Sequence, residues 1–139
     1  MALAASLETA LEAAVGELPA RTARVKEGNA FLRDALSKYP KVHINSPENA
    51  IPHILNLSVE NVKGTVFQRE LDAEGVCVSV KSACSSDGLP SRAVFAVSRD
   101  RRNALSSWRI SLSHLTTQEE LDGFLHAFDA CYTRLTRPQ

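Results

Sequence analysis

Between Ser107 and Leu112 the chain alternates strictly: Trp108, Ile110 and Leu112 fall on one side, Ser107, Arg109 and Ser111 on the other. A period of two is the mark of a β-strand, and this one has an apolar face for a core and a polar face that carries a guanidinium. Such a strand needs partners for its backbone and a cover for its apolar side, so the rest of the sequence must supply both. Val76, Val78 and Val80 alternate with Cys77 and Ser79 and predict a further strand. Pro52 opens a mostly apolar run from His53 to Val59, read as a buried strand, and residues 41–45 form a short strand candidate. Ser46-Pro47-Glu48-Asn49 between them reads as a turn.

The cover comes from segments with helical spacing. Leu3, Leu7, Leu11, Ala14 and Leu18 mark an amphipathic helix, and Leu32, Ala35, Leu36 and Tyr39 mark a second pattern that ends before Pro40. Pro19 lies between the two patterns, so two helices or one kinked helix are both allowed. Residues 62–74 are helical in character, with Phe67 and Leu71 one turn apart and Gly75 placed to stop them. Residues 81–88 read as a loop and residues 91–97 as a short helix. Thr117 and Glu120 form a capping box for a last helix that carries Leu121, Phe124, Leu125 and Phe128 on one face. The order predicts an α+β fold: a small mixed or antiparallel sheet with helices packed on one face, preceded by one long or kinked N-terminal helix. At 139 residues it is expected to be one domain.

Composition removes several function classes. Sixteen basic residues balance sixteen acidic ones, which leaves no electrostatic footprint for nucleic acid or an anionic membrane. Arg99, Arg101 and Arg102 cluster in what reads as a solvated loop. No apolar run approaches the roughly 20 residues of a membrane span, and the Ala/Leu-rich start contains Glu8 and Glu12 and reads as a helix, not a signal peptide. The three cysteines are widely spaced, without a CxxC pair, which fits a reducing cytoplasm. No HxH, HxxxH or HExxH spacing supports a metal site, and GxGxxG and GxSxG motifs are absent.

Cys84 is the main candidate for chemistry. It stands in Ser82-Ala83-Cys84-Ser85-Ser86, after a predicted strand, among small polar residues and close to Lys81, whose ammonium would favour the thiolate. The residues alone leave open a reactive thiol or an inert surface cysteine. Cys77 and Cys131 read as packing residues. Arg109, in mid-strand and flanked by Ser107 and Ser111, suits bidentate capture of a carboxylate, although a solvated sheet face would carry an arginine as well. His53, at the mouth of an apolar strand, reads as a hydrogen-bonded structural residue.

Taken together, Pro52-His53-Ile54-Leu55-Asn56-Leu57-Ser58, Leu71-Asp72-Ala73-Glu74-Gly75-Val76-Cys77-Val78-Ser79, Ser82-Ala83-Cys84-Ser85-Ser86, Ser106-Ser107-Trp108-Arg109-Ile110-Ser111-Leu112 and Leu115-Thr116-Thr117-Gln118-Glu119-Glu120-Leu121-Asp122 resemble, in this order and spacing, the C-terminal portion of cysteine desulfurases. These are class V aminotransferase-type enzymes that use pyridoxal phosphate. The resemblance implies that Cys84 attacks the sulfur of the substrate-cofactor adduct and becomes a persulfide, and that Arg109 holds the substrate carboxylate. It leaves Lys81, Ser82, Ser85, Asn56 and His53 as loop or site support. Departures from the commoner pattern are Lys81 in place of glycine, Ser113-His114 in place of Gly-Arg, and Trp108 in place of a smaller aliphatic residue.

In that family the cofactor-bearing lysine, the histidine stacked on the cofactor and the pyridinium-binding aspartate lie upstream. Lys26, Lys38, Lys41, Lys63 and Lys81 occur in unrelated contexts. The resemblance therefore implies the small domain of a cysteine desulfurase, inactive alone, that works with a large pyridoxal-phosphate-binding domain, as a homodimer, and with a sulfur-acceptor or scaffold protein for iron-sulfur cluster or thio-cofactor synthesis. A selenocysteine lyase, a cysteine sulfinate desulfinase and a non-catalytic interaction or oligomerisation domain are the alternatives.

Overall fold

The computed structural model describes residues 2–80 and 89–137, so the expected loop over residues 81–88, with Lys81, Ser82, Cys84 and Ser85, lies outside the described residues. The chain opens with α1 (Ala2–Ser37), followed by β1 (Val42–Ile44), β2 (Ile54–Val59), α2 (Gly64–Ala73), α3 (Arg92–Ser98), α4 (Arg101–Ser106), β3 (Ser107–Ser111) and α5 (Gln118–Thr136). The three strands form one antiparallel sheet in the order β1-β2-β3. This is the expected α+β architecture.

α1 runs through Pro19 as a single helix of 36 residues, so of the two allowed readings the continuous one holds. At 1.5 Å per residue it is about 54 Å long. Only its second half is anchored: Val25, Asn29, Leu32 and Leu36 are its buried residues. One missing proline N–H removes a single hydrogen bond, a loss a helix of this length absorbs without breaking.

The core lies between one sheet face and the long helices. Leu55, Leu57 and Val59 of β2 and Trp108 and Ile110 of β3 meet Phe67 and Leu71 of α2, Leu121, Phe124 and Phe128 of α5, and the buried half of α1. Trp108 stacks on Phe67 with ring centroids 5.1 Å apart and an interplanar angle of 14°. Gly64 lets the start of α2 sit directly on β3, because a Cβ there would come within 2.4 Å of the Ser107 carbonyl oxygen. Gly75, with φ at 80°, ends α2. The Val76 N–H bonds to the Leu71 carbonyl and the Gly75 N–H to the Asp72 carbonyl, a Schellman arrangement that satisfies the last turn. Ser91 caps α3, and the reciprocal Thr117–Glu120 capping box opens α5 as expected.

Three expectations need correction. The strand predicted over Val76–Val80 is reduced to one antiparallel bridge, Ser79 to Arg109. On the edge away from β3, Gln68 Nε2 bonds the Val78 carbonyl at 2.9 Å. Cys77 is exposed, not packed, because it lies on the side of the segment shared with Ser79, opposite Val76 and Val78, which pack against the core. The short helix α4 was not anticipated; its signal is Asp100, whose carboxylate accepts from the Arg102 and Asn103 N–H groups. α1, α2 and α5 cover the apolar face of the sheet, while α4 lies against the polar one through a Ser58–Asn103 hydrogen bond.

Candidate functional site

The polar sides of the strands line up across the sheet. Arg109 is the register partner of Asn56 in β2. On its other side Arg109 bridges Ser79, with its N–H 2.7 Å from the Ser79 carbonyl and its carbonyl 3.1 Å from the Ser79 N–H. Asn45 continues the β1–β2 register, its N–H 2.8 Å from the Asn56 carbonyl. Directly opposed residues project from the same face of an antiparallel sheet. Asn45, Asn56, Arg109 and Ser79 therefore make one transverse polar row.

This row borders a cleft of about 930 Å³, whose lining includes Asn56, Arg109 and Asn45 on the sheet, Ser46 and Pro47 from the turn after β1, and Val94 and Val97 of α3. Val80 and Leu89, which bracket the segment that carries Cys84, also line it. The turn wall is tied to α1: Arg33 donates to the carbonyls of Ser46 and Pro47 at 2.9 and 3.1 Å and to Asn29 Oδ1 at 2.8 Å, while Asn29 Nδ2 holds the Pro52 carbonyl at 2.9 Å. These two α1 residues were not singled out in the sequence. A polar pair one turn apart on a helix was their only signal, and it says nothing about which loop they hold.

Arg109 is half-buried, and its Nε is buried with no hydrogen-bond partner among the described residues. A guanidinium donor out of water and without a protein acceptor favours an anion, because leaving a charged donor unpaired is costly. Asn56 anchors the floor beside it. Its N–H donates to Ser46 Oγ at 2.9 Å, and its side-chain Oδ1 accepts from Asn45 Nδ2 at 2.9 Å. His53 is not among the residues that line the cleft. Its Nδ1 is buried without a partner among the described residues, contrary to the expected hydrogen-bonded ring, because the strand-end contact is made by its backbone: the His53 carbonyl accepts from the Leu112 N–H at 2.8 Å.

Cys131 is fully buried in the core, and that burial pushes its thiol pKa up, which keeps it in the unreactive protonated form. No lysine among the described residues lines the cleft; Lys38 pairs with Asp34, and Lys41 donates to the Thr136 carbonyl. The described residues thus offer an anion-binding wall but no amine to hold an aldehyde cofactor such as pyridoxal phosphate, which does not fit the described part of the cleft. No cluster of three potential metal ligands occurs among them, and none of their helices is long and apolar enough to cross a membrane.

Known proteins share this sequence and fold. A cysteine desulfurase IscS of Dictyoglomus turgidum is 33% identical over 129 residues, which cover 91% of this chain and 33% of that protein. A cysteine desulfurase IscS of Pseudomonas putida strain F1 is 35% identical over 108 residues, 76% of this chain and 26% of that one. The NifS-like protein of Rickettsia africae superposes with a TM-score of 0.73 at 26% identity, over 85% of this chain and 31% of its own. The chain spans about a third of the length of the curated relatives it matches. Residues 1–124 match the family described as aminotransferase class-V, and the chain belongs to that family.

Proposed function

We propose that this chain is the small, C-terminal domain of a cysteine desulfurase, in which Arg109 binds the carboxylate of L-cysteine and Cys84 receives its sulfur. The observation that carries the reading is the buried Nε of Arg109, without a hydrogen-bond partner among the described residues, on the cleft beside Asn56. Val80 and Leu89, which line that cleft, stand four residues before and five residues after Cys84 in the sequence. The similarity to two cysteine desulfurases supports the substrate class. In the overall change the carbon–sulfur bond of cysteine breaks, the sulfur ends on Cys84 as a persulfide, and the carbon takes a proton to give alanine. No external oxidant or reductant is needed.

Within that reaction the chain's own residues bind and orient. Arg109 fixes the amino acid by its carboxylate, and such anchoring turns a bimolecular encounter into an oriented one. Pyridoxal phosphate supplies the electron sink in the intact enzyme, and it belongs to a cofactor-binding portion that corresponds to the remaining two-thirds of the relatives' length. The sulfur acceptor and the homodimer belong to the same reading of the whole enzyme.

The test combines the chain with the cofactor-binding portion of the Dictyoglomus relative, pyridoxal phosphate and L-cysteine. Alanine should form, and mass spectrometry should find one added sulfur on Cys84; Cys84→Ser should lose the sulfur adduct, and Arg109→Met should raise the KM at least tenfold. Alanine release by the chain alone, or an active mixture with Cys84 unmodified, would overturn the reading. Parallel assays with selenocysteine and cysteine sulfinate decide among the class V alternatives.

A further inference from the structure

Behind the cleft, the Asn56 amide accepts a hydrogen bond from a closed ring formed by Ser58, Asn103 and Asn45. The Ser58 hydroxyl donates to Asn103 Oδ1, Asn103 Nδ2 donates to Asn45 Oδ1 at 2.8 Å, and Asn45 Nδ2 donates both to Ser58 Oγ at 3.2 Å and to Asn56 Oδ1 at 2.9 Å. Ser58 is buried, and the three asparagines are half-buried. The donors in the ring are coupled, since no one of them can reverse unless the others reverse with it. A primary amide carries one acceptor oxygen and one donor nitrogen, so committing each oxygen inward dictates where the nitrogen points. With Oδ1 of Asn56 held by Asn45, its Nδ2 has no partner among the described residues and is left as the donor end of a side chain that lines the cleft. Its register partner there is Arg109, whose Nε is likewise unpartnered.

We infer that Asn56 is a second carboxylate-binding residue beside Arg109, and that Asn103 of α4 is a positioning residue that sets the polarity of the Asn56 amide through Asn45. The logic is one of sign. An amide free to turn could present its oxygen to a carboxylate and repel it; the ring opposes that turn, because Asn45, Asn103 and the Ser58 hydroxyl would have to reverse with it, and in the sense the ring takes the donor end of Asn56 is left for the anion. Such preorganisation is what makes a fixed hydrogen-bond donor effective. The inference rests on the reading of Arg109 as the carboxylate anchor, but its own content is the amide beside it.

Side-chain NMR on the full chain tests it, with L-alanine as the probe and L-alaninamide, which lacks the carboxylate, as the control. The Arg109 Nε–H and the Asn56 Nδ2 signals should shift together and saturate with L-alanine and not with L-alaninamide. Asn56→Ala should weaken the apparent Kd about tenfold, the usual scale for one charge-assisted hydrogen bond. Asn103→Leu should do the same while the Arg109 signal still responds, and the double variant should be no weaker than Asn56→Ala alone, the mark of two residues that act through one contact. Should Asn103→Leu fail to fold, the near-isosteric Asn103→Asp is run in the same cycle, where its charge adds independently and a positioning role does not. If Arg109 shows no saturable response, both the carboxylate reading and this inference fall. If Arg109 responds but Asn56 does not, and Asn56→Ala binds as the parent does, the inference alone falls. Additive losses in the cycle overturn the role of Asn103.

Discussion

Cys77 and Cys131 occupy opposite environments although both read alike in the sequence. Cys131 sits at 0% exposure with its thiol pKa raised by burial, and Cys77 is exposed on the segment after α2. Timed alkylation of the native chain followed by peptide mapping should therefore modify Cys77 early and leave Cys131 unmodified until denaturant is added. Tyr39 provides a pH signature. Burial first, and then its hydrogen bond to Asp129 Oδ1 at 2.9 Å, hold the phenol in its protonated form and push its pKa up to about 12. The folded state keeps this proton more tightly than the unfolded chain, whose tyrosine titrates near 10. The contribution is complete below about pH 10 and is lost as pH rises toward about 12. Tyr39→Phe should flatten the fall in denaturation midpoint across that window; an unchanged pH profile would remove Tyr39 from the account.

Among the elements, α2 and β3 meet at a close backbone contact that only glycine permits. Gly64 opens α2 against the Ser107 carbonyl, at a position where a methyl group would meet backbone oxygen at 2.4 Å and backbone carbon at 3.1 Å. Backbone cannot move aside as a flexible side chain can, so Gly64→Ala should cost about 2 kcal/mol or more in urea denaturation, although alanine is the better helix former. Because β3 also carries Arg109, the same variant should disturb carboxylate binding at the cleft. A Gly64→Ala protein as stable as the parent would mean that α2 can slide along the sheet. The element least visible beforehand is α4. Six residues are too few for an apolar period to emerge, yet it supplies Asn103 to the polar ring behind the cleft.

Across the whole molecule, α1 divides the chain into a packed body and an uncovered stem. Leu3, Leu7, Leu11, Val15 and Leu18 are between 57% and 88% exposed, whereas the buried residues of the same helix begin at Val25. An exposed apolar row of this length favours association. Sedimentation at rising concentration should find the chain associating, and Leu7→Glu with Leu11→Glu should return it to a monomer without lowering its melting temperature, since neither side chain contributes to the core. A fall in thermal stability would instead assign these leucines a structural part in the isolated chain.

Periodicity and local chemistry made much of this protein legible in its sequence. The alternation around Arg109 placed it on the polar face of a strand, the Gly75 stop and the Thr117–Glu120 box marked helix ends, and the five motif blocks pointed to the family. Those features depend on spacing within a few residues, which a linear chain displays directly. That Val76–Val80 makes a single bridge, Ser79 to Arg109, and leaves Cys77 exposed is not visible in its alternation. The meeting of Asn45, Asn56 and Asn103 joins positions far apart in the chain, and nothing in the spacing of three asparagines announces it. Local pattern states which face a residue takes; only tertiary packing decides which other residues stand opposite it, and the polar row and ring at the cleft are properties of that opposition.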